Sequence, residues 1–464
     1  MSGVRQLSKQ LLRAGLRGRV LNSPRKYATA TAAPPNSMTP VEKIILDTIK
    51  ANGPVSFAQY MQMCLSHPTE GYYMKSSNAV FGARGDFITS PEISQVFGEL
   101  VGIWLLSQYL PVAKGQDIRL IELGPGRGTL MDDILRTLSQ LPASRQVSKE
   151  VHLVETSASL RAIQEQRLRP WSEKHNIQVY WHTSLNDIPE KEGSYTMLVA
   201  HEFFDALPIH LIEKTQHGWQ EVLLSSSPDP AAPTILRPSD PLSTSTQTPT
   251  PTQPSSPFRL RPVLASTPSP ISTLLGSSSP RFKNLPVGSR IEVSPASFQI
   301  ARKVGEVIGG QASEKKKGSA LIIDYGDDKA VGNSFRGFKD HKIVDPFHLP
   351  GHCDLTANVD FAYLREAMAN TATAHGPLTQ HEFLTRMGLR MRVDALKRAA
   401  RSDERKSAIE SSAHRLADLT GMGKQYKVLG VTSNGGGEDD AGRVWPFLDE
   451  GHKSDPADPN NHEY

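Results

Sequence analysis

The apolar and polar positions in the middle of this chain alternate between two periods. Buried-strand runs are predicted at 118–123, 150–155, 177–181 and 195–200, and amphipathic helices at 128–140 and 157–168. The same alternation resumes later with a helix at 295–309, a strand at 318–326 and a final strand at 426–432. Strands that alternate with helices predict an α/β fold, in which a parallel sheet carries helices on both faces.

The region at 39–110 is predicted to be mainly helical, with a turn-rich segment that begins at "HPTEGYY". Two amphipathic helices are separated by Asn52-Gly53-Pro54, and Ser56 is placed to cap the second. A later helix is predicted to begin near a cap at Ser90, with Pro91 at its first position. The apolar run at 100–110 is about half the ~20 residues that span a bilayer, so it predicts a buried helix and no transmembrane segment. An N-terminal helical region thus precedes the α/β domain at 111–430.

Two segments break the periodic pattern. Residues 225–281 hold many of the chain's 34 prolines, with serine and threonine between them. Such a composition buries too little apolar surface to offset the entropy of ordering, which predicts a disordered insert. The insert lies between "GWQEVLL" and "GSRIEVS", so we interpret it as an enlarged hairpin loop. The tail at 433–464 is rich in Gly, Asp, Glu and Asn and is predicted to be mostly disordered.

Charge is unevenly distributed along the chain. No acid precedes Glu42, and leucines alternate with seven bases, Arg5, Lys9, Arg13, Arg17, Arg19, Arg25 and Lys26. An acid-free amphipathic start of this kind is typical of a mitochondrial transit peptide, predicted here at 1–35, with removal of the first ~27 residues. The alternative is a basic disordered tail. With only 2 cysteines, neither a disulfide scaffold nor a four-ligand zinc site is expected.

The stretch "LIELGPGRGTL" at 120–130 joins the first predicted strand to a helix. A dinucleotide fingerprint needs a third glycine at the position of Thr129, and a phosphate loop needs a lysine after Gly128. Both are missing. The observed order, an acid followed by glycines at alternate positions, suits a ligand without phosphate such as S-adenosylmethionine. We therefore predict a class I (Rossmann-like) S-adenosylmethionine-dependent methyltransferase.

Several side chains are predicted to hold this donor. The turn supplies Glu122, Gly124, Gly126 and Gly128, whose small glycines let the backbone approach the methionyl part. Glu155 ends the next strand, and its carboxylate can accept from both ribose hydroxyls. The remaining predicted contacts are Asp187, beside Asn186, for the adenine amine, and Thr89 and Ser90 for the amino-acid end of the donor.

The predicted acceptor site follows the fourth strand, in "HEFFDALPIH". Ligands of doubly wound sheets lie beyond the carboxyl ends of the strands, which places Glu202 and Asp205 near the sulfonium. Carboxylates bind a guanidinium bidentately, so Glu202 is the first candidate for an acceptor-binding acid and Asp205 the second. His201 could simply pack. The "FHLPGHCDL" stretch has no metal-ligand spacing, and we expect no metal there.

Taken together, these motifs resemble the MidA-like family, including its mitochondrial protein arginine methyltransferases. The matching stretches are "HPTEGYY", "GDFITSPEISQVFGE", "IELGPGRGTLM", "HEFFDALP", "GSRIEVSP", "LIIDYG" and "GHCDLTANVDF". The resemblance implies a matrix enzyme that symmetrically dimethylates an arginine on a 49 kDa-type subunit of respiratory complex I during assembly. The sequence departs from the family in its long insert and at His201, where the family pattern often has asparagine.

Two other functions are open at this stage. The fold could serve as an assembly chaperone without turnover, or the acceptor could be a small molecule or nucleic acid. Outside the predicted transit peptide the chain shows no large basic stripe beyond "LKRAARSDERK", which we interpret as a solvated helix face, so nucleic acid is disfavoured.

Overall fold

The computed structural model describes residues 38–75, 88–226, 259–310, 316–434 and 444–448. The predicted transit peptide lies outside these residues, as does 227–258 of the predicted insert. The helices of the described residues are α1 Pro40–Asn52, α2 Phe57–Ser66, α3 Ser90–Ile93, α4 Gln95–Ala113, α5 Thr129–Gln140, α6 Pro142–Arg145, α7 Ala158–His175, α8 Pro270–Ser277, α9 Pro280–Lys283, α10 Pro295–Gly309, α11 Phe361–Met368, α12 Gln380–Arg386, α13 Leu389–Ala399, α14 Asp403–Ala417 and α15 Met422–Gln425.

The strands form three sheets. They are β1 Val55–Ser56, β2 Ile118–Leu123, β3 Lys149–Val154, β4 Gln178–His182, β5 Tyr195–His201, β6 His210–Thr215, β7 Gly218–Ser226, β8 Leu260–Leu264, β9 Arg290–Val293, β10 Lys317–Asp327, β11 Arg336–Lys339, β12 Lys342–Val344, β13 Asp354–Thr356, β14 Val359–Asp360, β15 Ala372–Thr379 and β16 Tyr426–Ser433. The predicted α/β alternation is confirmed.

The main sheet has the order β15-β16-β10-β5-β2-β3-β4, with β14 pairing with part of β10. β2, β3, β4, β5 and β10 are parallel, and β16 runs antiparallel between β10 and β15. Strand order reverses at β2, whose two neighbours are β3 and β5. In doubly wound sheets this reversal opens a ligand crevice at the carboxyl ends of the strands.

The core explains why the central strands have continuous apolar runs. All six residues of β2 are buried, because α4 and α5 cover one face of the sheet and α10 packs on the other. Helix α4 is long and apolar enough to cross a membrane by composition, but two-thirds of that stretch is buried in the protein. Its Val101, Trp104 and Leu105 are completely buried. The prediction of a buried helix is confirmed.

The N-terminal helices pack against a second, antiparallel sheet. This sheet has the order β1-β7-β6-β9, and β8 also pairs with β7. Val41 and Ile45 of α1 and Tyr60 of α2 share a buried cluster with Leu211 and Val222 of the sheet. Ser56 caps α2 as predicted. A third sheet, β12-β11-β13, lies in the loop-rich region before α11.

The enlarged-hairpin interpretation is wrong. β6 lies between β7 and β9, so the two strands that flank the insert are not paired with each other. Residues 260–264 of the insert form strand β8, and α8 and α9 follow it. β8 is an edge strand, and Leu260 and Val263 become buried by pairing with β7. Disorder is therefore the wrong prediction for 260–281.

The tail prediction also needs a correction. Residues 444–448 pack against the core: Phe447 is buried, and the Trp104 indole N–H donates to the Trp445 carbonyl at 2.9 Å. The rest of the tail after residue 434 lies outside the described residues. Nearer the start, Thr89 precedes α3 as its cap, whereas Ser90 is the first helical residue. Ser94, and not Ser90, then caps the long helix α4.

Candidate active site

The glycine turn after β2 has a left-handed backbone at all three glycines. The φ angles of Gly124, Gly126 and Gly128 are 62°, 52° and 77°. A Cβ on Gly124 would lie 2.9 Å from Cδ2 of Phe203, so a side chain there would meet both strain and a steric clash. The Gly124 amide donates to the Val154 carbonyl at 3.0 Å, which ties the turn to β3.

The turn borders a cavity of about 500 Å³ at the carboxyl edge of the sheet. This volume falls within the range of roughly 300–1,000 Å³ that is usual for small-molecule sites. The lining combines apolar side chains with a few polar ones, and comes from both sides of the point where the strand order reverses. It includes Gly124, Gly126, Val154, Glu155, Leu185, Asn186, Glu202, Phe203, Ile300 and Tyr73.

Glu155 lies on the cavity wall and is held by two hydrogen bonds. Its Oε1 accepts from the Ser157 amide at 2.8 Å, and its Oε2 accepts from Gln164 Nε2 at 3.2 Å. Gln164 Nε2 also donates to the Gly126 carbonyl at 2.8 Å, so one amide side chain connects the acid to the glycine turn. Burial raises the pKa of Glu155, although these donors oppose the increase. The structure thus places Glu155 at the cavity beside the glycine turn, and its contact with the ribose hydroxyls stays a prediction.

Asp187 does not line the cavity. Its carboxylate caps the short helical turn at Leu185–Asp187 by accepting from the Thr183 hydroxyl at 2.7 Å and the Ser184 amide at 2.9 Å. Asn186, its neighbour, is among the lining residues. The position predicted for adenine recognition is therefore occupied by Asn186, and Asp187 stabilises the turn that presents it.

A small recess lies on the other side of the glycine turn. Glu122, Thr89, Thr129, His201 and Glu202 line it together with the turn. Glu122 is buried, and among the described residues its Oε2 has no hydrogen-bond partner. Burial raises the pKa of Glu122 well above its usual range, and the Met131 amide opposes this increase. The recess thus presents a buried acid with one oxygen, Oε2, that no described residue donates to.

Ser90 faces away from both cavities. It is fully buried, and its hydroxyl donates to Gln380 Oε1 at 3.3 Å, on α12. Gln380 in turn donates to the Leu416 carbonyl at 2.8 Å. Of the two predicted contacts to the amino-acid end of the donor, the structure places Thr89 at the recess and gives Ser90 a position in the packing of α12 and α14.

Glu202 lies between the cavity and the recess and lines both. Its φ of 50° is in the left-handed region, which is costly for a residue with a Cβ. Two contacts hold it there: its amide donates to the Ile323 carbonyl at 3.0 Å, and its Oε1 accepts from the Tyr426 hydroxyl at 2.5 Å. Strain that is retained by surrounding contacts at a cavity is a feature of functional sites.

The turn after Glu202 is fixed by a buried acid of β10. Asp324 Oδ2 accepts from the amides of Phe203, Phe204 and Asp205 at 3.1, 2.9 and 3.3 Å. Asp205 itself is 5% exposed and does not line either cavity. Burial raises its pKa to about 6, and the charge of Arg336 limits the increase. The predicted first acid is thus at the cavity, and the predicted second acid lies behind it.

The acids around Glu202 create an unusual electrostatic environment. Burial raises the pKa of Glu202 to about 8, and the Tyr426 hydrogen bond limits this increase. The charges of Asp205, Asp354 and Glu92 raise it further. Protonation of Glu202 therefore relieves the repulsion between the acids in the absence of a ligand. A bound cation would offset the same repulsion and favour the ionised form of Glu202.

His201 packs in this environment as a neutral ring. Burial lowers its pKa to about 3, so the imidazole is uncharged at neutral pH. It contacts Phe97 edge to face at 5.1 Å between ring centroids and stacks on Tyr426 at 6.0 Å. Its position supports the packing interpretation.

Sequence reasoning missed four residues that build the site. Gln164, Asp324 and Tyr426 provide the contacts described above, and Tyr73, which lines the cavity, donates from its hydroxyl to Asp354 Oδ1 at 2.7 Å. Asp324 and Tyr73 stand in the "LIIDYG" and "HPTEGYY" stretches, so a signal was present. Gln164 and Tyr426 carry no local signal. Across the described residues, no three His, Cys, Asp or Glu side chains are placed to hold a metal ion.

The residues present fit an S-adenosylmethionine donor. Glycines keep the turn clear of Cβ atoms, Glu122 lines the recess with an unmatched acceptor oxygen, and Glu155 lines the larger cavity. A buried carboxylate is a suitable partner for the donor's ammonium group, and a second one for its ribose hydroxyls.

Comparison with known proteins gives a consistent result. Residues 100–378 match the model of a family described as S-adenosyl-L-methionine-dependent methyltransferases. The protein named "Protein arginine methyltransferase NDUFAF7, mitochondrial" in Danio rerio is 38% identical over 76% of this chain and 78% of its own length. The human protein of the same name is 35% identical over 78% of this chain and 76% of its own length.

Solved structures agree on the fold. A protein from Burkholderia thailandensis, crystallised with S-adenosyl-homocysteine, superposes with a TM-score of 0.63 at 24% identity, covering 86% of this chain and 93% of that one. A native crystal structure from the same organism and superfamily gives the same TM-score of 0.63 at 25% identity. The predicted class I methyltransferase fold is confirmed, and S-adenosyl-L-methionine is the methyl donor of the family. This chain belongs to the MidA-like family of S-adenosyl-L-methionine-dependent methyltransferases.

Proposed function

We propose that this methyltransferase transfers methyl groups to an arginine side chain of a protein, and that Glu202 binds the guanidinium. The observation that supports this most directly is the position of Glu202, strained and surrounded by acids, between the donor cavity and the recess. A guanidinium supplies the cation that this cluster requires, and its planar fork matches a carboxylate. The names of the relatives support the same acceptor class.

The donor side of the proposal assigns roles to six further residues. Gly124, Gly126 and Gly128 give the methionyl part a close approach, Glu122 binds its ammonium group, and Glu155 accepts from the ribose hydroxyls. Thr89 closes the recess. Bound S-adenosyl-L-methionine supplies a methyl group already activated for in-line attack. The protein's contribution is then orientation, which for two well-placed reactants can account for several kcal/mol of the barrier.

On the acceptor side, Glu202 holds one edge of the guanidinium and directs a nitrogen toward the cavity. Tyr426 donates to the same carboxylate and fixes its rotamer. Asp205 contributes negative charge from behind the turn. Methyl transfer forms the nitrogen–carbon bond as the donor's sulfur–carbon bond breaks, and the methylated nitrogen then loses one proton. That nitrogen is strongly acidic, because the guanidinium would otherwise carry two positive charges, so a carboxylate or water can accept the proton and the product keeps a single charge.

We further propose the finer activity that the family resemblance implies: symmetric dimethylation of an arginine on the 49 kDa-type subunit of complex I, in the mitochondrial matrix. The relatives are named as mitochondrial, which agrees with the acid-free start of this chain. The type of dimethylation and the identity of the subunit rest on that resemblance.

The proposal is tested by mass spectrometry. The protein and the methyl donor are incubated with the subunit, and with a copy in which candidate arginines are replaced by lysine. We expect mass increases of one and two methyl groups on one arginine, with the fragmentation pattern of the symmetric product. A donor that binds without any methylated arginine would favour the chaperone alternative, and methylated lysine would overturn the acceptor assignment.

A further inference from the structure

A groove of about 620 Å³ lies beside the active site, separate from the donor cavity. One wall is formed by Glu92 and Ile93 of α3 with the start of α4, and the other by α13 and α14. Glu92 also lines the recess that contains Glu202. The groove and the recess therefore border each other at a shared carboxylate.

The topology places this groove at the reacting edge of the sheet. Helices α12–α15 connect β15 to β16, and β15 is parallel to β10, since both are antiparallel to β16. The helices consequently begin at the carboxyl edge, where β16 starts with Tyr426 and contacts Glu202. A polypeptide in the groove would lie next to the reacting centre without crossing the donor cavity.

Buried polar contacts fix both walls. Arg392 of α13 donates to the Glu99 carboxylate of α4 from Nε at 2.6 Å and Nη2 at 2.9 Å. Ser90 of α3 is joined through Gln380 to the carbonyl of Leu416 on α14. The groove is thus a preformed feature, and the Ser90 contact, unexplained by donor binding, contributes to its geometry.

The charges along the groove change sign between its two ends. Glu92 is at the inner end, where its Oε1 is 3.8 Å from Arg127 Nη1, a distance typical of a loose ion pair. Arg401 and Arg405 are exposed and line the outer part. The inner end suits an incoming cation, whereas the outer end suits acidic groups on the same chain.

We propose that this groove binds the protein substrate beside the reacting centre, with acidic residues that flank the target arginine facing Arg401 and Arg405. This inference rests on the proposed arginine methylation and adds to it a binding surface and a sequence preference. The run "LKRAARSDERK" then contributes part of a recognition surface, in place of a merely solvated helix face.

The test uses charge reversal with matched peptides. One arginine peptide carries glutamates at positions two to five on either side of the arginine, and its partner carries glutamines there. For the wild-type protein we expect kcat/KM to be about tenfold higher with the acidic peptide at low salt, and the difference to shrink at high salt. The double variant Arg401→Glu, Arg405→Glu should remove this preference while leaving the glutamine peptide within about twofold.

The control is a second double reversal, Arg398→Glu with Arg415→Glu. These arginines are exposed on the same two helices but do not line the groove, so net charge changes equally and the preference should persist. Equal loss of preference in both variants would assign the effect to net charge and overturn the inference. So would a wild-type protein that shows no preference. If no arginine substrate is methylated although the donor binds, the proposed function fails and the inference fails with it.

Discussion

Two acids of this active site, Glu155 on the donor side and Glu202 on the acceptor side, are held in opposite ways. On the donor side, Glu155 accepts from a backbone amide and from Gln164, and no second acid raises its pKa. On the acceptor side, Glu202 has one donor, the Tyr426 hydroxyl, and three acids raise its pKa further. The hydrogen-bonding capacity of Glu155 is thus largely met without a ligand, whereas Glu202 has few donors and repulsive neighbours.

The difference indicates which of the two carboxylates needs a bound ligand to offset its electrostatic environment. A satisfied carboxylate on a fixed turn is ready to accept hydroxyl groups at little cost of reorganisation. A carboxylate with a pKa of about 8 is mostly protonated at neutral pH, and a bound guanidinium must displace that proton. Ligand contacts at Glu155 should therefore depend weakly on pH, and acceptor binding at Glu202 strongly.

The largest effect is expected from Gly124→Val on the donor side. The substituted residue would have to adopt a φ of 62° with its Cβ 2.9 Å from Phe203, so the turn must move. We expect donor affinity, measured by calorimetry, to fall at least ~100-fold.

The matched control for that variant is Gly193→Val. Gly193 has a φ of 73°, but a Cβ there meets nothing within 4 Å, so backbone strain occurs without a clash at the cavity. This variant should lose stability and keep donor affinity. Donor affinity within threefold of wild type for Gly124→Val would refute the role of the turn.

On the acceptor side, Glu202→Gln should separate activity from donor binding. The neutral amide loses charge-assisted bonds to the guanidinium, and kcat/KM for an arginine substrate should fall roughly 100-fold, about 2.7 kcal/mol. Donor affinity should stay within about threefold of wild type. Glu42→Gln is the control, because Glu42 is also buried but pairs with Arg259 away from both cavities. Unchanged activity for Glu202→Gln would exclude it as the acceptor-binding acid.

The Glu202→Gln variant should be more stable than the wild type at alkaline pH. The pKa of Glu202 is about 8 in the folded protein and 4.5 for a free side chain, so the unfolded chain loses this proton first as pH rises. The residue's contribution to the free energy of unfolding is full below pH 4.5 and is lost as pH rises through 8. Glu202→Gln removes that loss, and denaturant titration at pH 8.5 should show a gain of at least about 1 kcal/mol. If the stability difference between the Glu202→Gln variant and the wild type were the same below pH 4.5 and at pH 8.5, the raised pKa of Glu202 would be contradicted.

Tyr426→Phe should shift the pH dependence of the reaction. The Tyr426 hydroxyl lowers the pKa of Glu202, so its removal raises that pKa and moves the acidic limb of the kcat/KM profile to higher pH. At pH 7 we expect a loss of about tenfold, recovered in part at pH 9. Tyr109→Phe is the control: its buried hydroxyl donates to the Gln116 carbonyl, away from the site. A uniform loss at every pH would indicate a purely structural role for Tyr426.

The smallest effects should distinguish Asn186 from Asp187 on the donor side. Asn186→Ala removes a lining side chain and should weaken donor binding by about threefold to tenfold. Asp187→Ala removes a cap and should lower the midpoint of thermal unfolding, with donor affinity within about twofold. Thermal unfolding and calorimetry on both variants measure the two effects. A larger loss of donor affinity for Asp187→Ala than for Asn186→Ala would support Asp187 as the residue that binds the adenine amine.

Several features were predictable because their causes are local. Short stretches of sequence were enough to predict the glycine turn, the strand that ends at Glu155 and the helix that begins at Thr129, because the pattern of residues in each stretch determines its backbone conformation. The insert shows the limit of such reasoning. Its proline-rich composition predicts disorder, yet Leu260 and Val263 pair with an edge of β7 that no local window reveals.

The α/β fold and the glycine turn with Glu155 at the next strand end follow from the sequence alone, because glycines at alternate positions and an acid at a strand end act within a few residues. The acceptor side, and the positions of Ser90 and Asp187 outside the two cavities, depend on tertiary packing. Parallel pairing places His201 beside Ile323, and antiparallel pairing places Tyr325 beside Tyr426. Strand register therefore brings Glu202 and Tyr426 together from positions 224 residues apart, and burial of acids in that small volume sets the pKa that the proposed chemistry uses.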